Sequence, residues 1–86
     1  MEFLKNELNE LYKMVKSHQE KEEEAKNCNN VEKVKEIASQ AIQISNYFHK
    51  RKLQLLKDLK TMMRVDSPNK HIYQDMFNET MFIDIE

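Results

Sequence analysis

His18 and Glu22 stand four residues apart, a spacing that brings two side chains together on one helix face. An imidazole beside a carboxylate can hold a proton or offer two ligands to a metal. A metal site needs three or four donors, and no compact group of His, Cys, Asp and Glu surrounds this pair. The pair reads as a structural contact. Cys28 is the single cysteine, so no internal disulfide is available, and no nearby His could activate it as a nucleophile. Tyr12, Tyr47 and Tyr73 lie in no motif. The chain has no glycine, hence no glycine-rich phosphate loop. No paired carboxylates in an enclosing core and no Ser–His arrangement complete the search. The sequence predicts no catalytic residue, no cofactor, no metal and no small-molecule substrate.

The elements that carry these residues are long helices. Pro68 is the only proline in 86 residues, so both strong helix breakers are missing from the first 67 positions. Leu4, Leu8, Leu11, Val15, His18, Glu22 and Ala25 recur by alternating steps of four and three, the seam of a coiled coil. A second face runs from Val34, Ile37, Ala38 and Ala41 through Ile44, Phe48 and Lys52 to Leu55, Leu59 and Met63, and spans roughly 120°, wide enough for two neighbours. Between them lies Asn27-Cys28-Asn29-Asn30. Asn27 is expected to end the first helix in a left-handed conformation. Asn29 is expected to cap the second, with Glu32 completing a capping box. So short a turn makes an antiparallel hairpin.

The second helix is longer by two to three turns. Folding at residues 28–29 places Lys52 beside Leu4 and Lys5, and leaves Leu55, Leu56, Leu59, Met62 and Met63 unpartnered by the first helix. The C-terminal segment, a second copy or another protein must cover them. Ser67-Pro68 signals a third, short helix, with Ile72, Tyr73, Met76 and Phe77 on one side. A linker as short as residues 65–67 returns this helix onto the second. Residues 81–86 read as an extended segment that docks on the bundle. The fold expected is all-α: a single helical domain over residues 1–80, with helices at about 2–26, 30–64 and 68–79.

Charge is uneven along the chain: residues 1–30 carry net −2, residues 31–64 carry +5 and residues 65–86 carry −4. Lys50, Arg51, Lys57, Lys60 and Arg64 are the candidates for nucleic acid, yet they point in several directions and no zinc-finger spacing or RNP-like motif accompanies them. The N-terminus lacks the basic-then-apolar pattern of a signal peptide, and no apolar run is long enough to span a membrane. The cytoplasm is the expected setting.

Ser39-Gln40-Ala41-Ile42-Gln43 resembles, over those five residues, the motif on the second helix of small hairpin phosphatases of the sporulation-regulator family. Their motif is Ser-Gln with an Asp three residues after the Gln. Here Gln43 occupies the Asp position. The resemblance implies a helical hairpin and a response-regulator-like partner, and the missing carboxylate removes the expected acid.

Protein recognition, as a regulator or adaptor, is the function that remains, with a nucleic-acid-binding protein using the basic second helix or a purely structural oligomerisation subunit as the alternatives. Leu55, Leu56, Leu59, Met62 and Met63, with Ile72, Tyr73, Met76 and Phe77, are the expected contact residues. A homodimer formed through the overhanging end of the second helix is the expected assembly, with another protein as further partner.

Overall fold

The computed structural model describes residues 2–85; Met1 and Glu86, expected in the domain and in the extended tail, lie outside them. Three helices follow in order: α1 at Glu2–Lys26, α2 at Val31–Val65 and α3 at Lys70–Phe82, with a 3-10 turn at Ser67–Asn69 before α3. The fold is all-α, a long antiparallel hairpin with a short C-terminal helix folded back along α2. At a rise of about 1.5 Å per residue, α2 alone is about 52 Å long, and it sets the 55 Å long axis of the molecule. The radius of gyration is 16.1 Å, against about 12 Å for a compact chain of this length. α2 runs without a break through Ile44–Phe48.

The caps differ from expectation by small shifts. Asn30, not Asn29, caps α2: its backbone is extended and its side chain accepts from the Glu32 N–H at 3.0 Å and the Lys33 N–H at 3.4 Å. One residue of shift puts Glu32 at the second helical position, too early for the capping box. Asn27 does not turn left-handed; no described residue has positive φ. Instead α1 closes through Asn27 N–H to Glu23 O and Cys28 N–H to Ala25 O, bonds of four- and three-residue span that need no special backbone region. Cys28 is half-buried, with its thiol 3.6 Å from Asn30 O.

Asp66 organises the second turn. Its amide donates to Met62 O at 2.8 Å. Its carboxylate accepts from Asn69 Nδ2 at 3.0 Å and from the Tyr73 hydroxyl at 2.8 Å. Pro68 fits the start of the 3-10 turn because its missing N–H has no partner to lose there. α3 then extends three residues beyond the expected end, so Met81 and Phe82, expected to be extended, are helical. Its last turn is held by Ile83 N–H to Glu79 O.

The core sits at one end. Leu4, Leu8 and Leu11 of α1, Phe48, Leu55 and Leu59 of α2, Tyr73 and Met76 of α3, and Ile83 of the tail form one buried cluster. Full burial of such a side chain stabilises by about 1.5–3 kcal/mol. Thr80, the buried polar residue among them, satisfies its hydroxyl on Met76 O at 2.7 Å. α3 is the cover that the wide face of α2 required. The expected overhang is smaller than the spacing argument gave, because α1 slides further along α2: Leu4 lines a surface cleft with Asp58, Thr61 and Met62. Toward the hairpin turn, α3 stops. Between Tyr12 and Tyr47 Ile37 alone is buried.

Candidate protein-binding groove

α2 enters the closed end carrying six cations between Lys50 and Arg64, and packing sorts them. Arg51 reaches across to α1, where its Nε donates to Glu7 at 3.1 Å and Nη2 makes a second bond to the same carboxylate oxygen. Nη1 donates to the Tyr47 hydroxyl at 2.7 Å. The Glu7 hydrogen bonds, then that to Tyr47, push the guanidinium above its already high ordinary value. The hairpin spacing placed Lys52 beside Leu4 and Lys5. It lies instead under the end of α3, and its Nζ donates to Met81 O at 3.3 Å and Ile83 O at 2.5 Å. A cation belongs there, at the carbonyl end of a helix. The apolar stem of Lys52 can stay in the stripe while the head meets these carbonyls. Arg51 and Lys52 are therefore held by the chain itself.

Lys50, Lys57 and Lys60 are different. Along α2 they fall on the flank that α3 leaves open, and among the described residues they form no ion pair. They line a groove of about 520 Å³ between α2 and α3. Its floor is apolar: Leu53 and Leu56 from α2, Phe77 and Met81 from α3. Lys60 Nζ stands 5.8 Å from the centre of the Phe77 ring, within reach of a cation–π attraction. Leu53 is 66% exposed and Met81 53% exposed. No acid lines the groove.

The residues expected to make contacts separate into two groups. Leu55, Leu59, Tyr73 and Met76 are buried in the single chain, where they join one core cluster with residues of α1, α2 and α3. Met63 and Phe77 pack partly buried against the core, as does Met62 at the far end beside Phe3 and Leu4. Ile72 is half-buried and Arg64 exposed. Leu56 and Phe77 join Lys50, Lys57 and Lys60 in the groove, which mixes residues first assigned to two rival functions. Leu53 and Met81, which also line the groove, were not among the expected contact residues. The pattern Lys50, Leu53, Lys57, Lys60, stepping by three or four, could have revealed Leu53. Met81 could not be found while it was read as extended.

His18 and Glu22 form the expected pair, with Nδ1 3.1 Å from Oε1. Among the described residues no group of three or more His, Cys, Asp or Glu is placed to hold a metal, and no helix is long and apolar enough to cross a membrane. Ser39 and Gln43 lie exposed on the two-helix part of α2, away from the groove. Comparison with known protein families, with curated proteins and with solved structures finds no match.

Proposed function

We propose that this protein is a small interaction module that binds another protein through the α2–α3 groove, without turning over a substrate. One observation carries the reading: exposed Leu53 and Met81 form, with Leu56 and Phe77, an apolar groove floor that the chain itself does not fill. Concave apolar sites with a few placed polar groups are where ligands and partners bind, and buried apolar and aromatic anchors supply much of interface energy. The single unpaired Cys28 suits a reducing setting such as the cytoplasm.

The second reading is nucleic-acid binding, favoured by the three lysines without ion pairs on one flank. Phosphate contacts release counterions, so such binding falls steeply with salt. Affinity capture from cell extract at low and high salt separates the two. A protein partner retained at high salt and lost in Leu53→Ser supports the interaction module. Recovery of nucleic acid alone, abolished by Lys50→Glu with Lys57→Glu and untouched by Leu53→Ser, overturns it.

A further inference from the structure

We infer that the occupant of the groove is an acidic amphipathic helix of a partner protein, about three turns long. The inference rests on the interaction reading above and adds the partner's chemistry. Length comes first. The α2 wall runs from Lys50 to Lys60, ten residue steps or about 15 Å of helix, which matches about three turns of a helix laid alongside. Helix-in-groove recognition places apolar anchors of the guest at three- and four-residue steps on a floor of this kind. Leu53, Leu56, Phe77 and Met81 provide that floor.

Charge decides the rest of the sequence of the guest. Two cations of α2 have partners within the chain: Arg51 pairs with Glu7, and Lys52 donates to the carbonyls of Met81 and Ile83. Lys50, Lys57 and Lys60 stand on the groove with no carboxylate among its lining residues. Three like charges around an apolar floor repel a basic guest and attract an acidic one, and they do so through specificity and encounter rate more than through raw affinity. The chain's own acids are placed elsewhere. Glu79 bonds the Tyr12 hydroxyl on the α1 side of α3, Asp58 lines the cleft beside Phe3 and Leu4 while accepting from groove-lining Gln54 at 3.0 Å, and Asp66 is occupied at the turn.

The test uses the full chain and two fluorescein-labelled 14-residue peptides. Both carry Leu at four positions stepped by three and four. One has Glu at its remaining polar positions, the other Lys. Fluorescence anisotropy should show saturable binding of the acidic peptide, at least about tenfold tighter than the basic one in low salt, since each rim pair contributes modestly. Lys50→Gln with Lys57→Gln and Lys60→Gln should remove that preference. Leu53→Ser should weaken both peptides while circular dichroism stays that of the parent. Equal binding of both peptides, still lost in Leu53→Ser, overturns the acidic partner and leaves the groove as an interaction site. No binding of either peptide overturns both readings. So does a light-scattering mass of two chains that returns to one in Leu53→Ser, because a second copy would then be the occupant. Tight binding of a labelled DNA duplex with steep salt dependence, in place of either peptide, also overturns both.

Discussion

The two ends of the hairpin are built from the same two helices and differ in what lies across them. At the closed end α2 meets α1 on one side and α3 on the other, and nine side chains from four segments form one buried cluster. Toward the turn the tail reaches only as far as the cleft where Asp84 and Ile85 lie beside Val15, His18, Gln19 and Glu22; beyond it α1 and α2 meet only each other. There Ile37 is buried, while Ala38 and Ile42 are exposed and Ala41 is half-buried. Two helices alone leave half of each apolar face in water, so helicity there depends more on caps and local pairs than on burial. The main buried cluster of this chain and the groove proposed to bind a partner thus lie at the same end. α3 closes the core with Tyr73 and Met76 and, with Phe77 and Met81 on its flank, builds one wall of the groove.

The largest effect is expected where burial is complete. Leu55→Glu combined with Leu59→Glu puts two charges where the structure has 2% and 0% exposure, and an unpaired buried charge is strongly destabilising. Loss of the helical circular-dichroism signal at 25 °C is the expected outcome; a folded variant would show that α3 does not seal this site. Phe48→Ala should cost about 3–5 kcal/mol by urea denaturation. The corresponding change in the arm, Ile37→Ala, should cost below about 2 kcal/mol, under the usual range for a closed core. Equal losses at the two positions would erase the distinction between the ends. Hydrogen exchange gives the same comparison without mutation: amides of Ala38–Ile44 should exchange faster than those of Leu55–Met62.

Smaller effects come from the turns. Asn30→Ala removes the acceptor for Glu32 and Lys33 and should cost about 1 kcal/mol. Asp66 has its carboxyl held below the ordinary carboxylate value, first by the Asn69 hydrogen bond and then by that of Tyr73. A lowered folded value means that its contribution is present above the ordinary carboxylate pKa and is lost as pH falls through the lower value. Stability of the parent and of Asp66→Asn should therefore differ at neutral pH and converge in acid. Parallel curves across that range would mean that the Asp66–Tyr73 bond does not report on folding.

Much of this fold was legible in spacing alone. Period and the absence of glycine marked α1 and α2, and Ser67-Pro68 marked a third helix, because these signals are local and strong. The register was not legible. Matching positions by folding at residues 28–29 put Lys52 beside Leu4, whereas Leu4 lies with Asp58, Thr61 and Met62. Packing of unequal side chains, and the exact turn closed by Asn30, move one helix along another in a way that no local pattern records. The site was half legible for the same reason. Lys50, Lys57 and Lys60 were visible as a basic run and Leu56 and Phe77 as apolar anchors. Their meeting on one groove depends on where α3 crosses α2, which is a property of the packed chain.

The most direct test of the account follows backbone amide shifts of isotope-labelled protein during titration with the acidic leucine peptide. Perturbed amides should cluster at Lys50–Lys60 and Phe77–Met81, with Val31–Ile42 unmoved. Shifts confined to the two-helix arm, or absent throughout, would contradict the account.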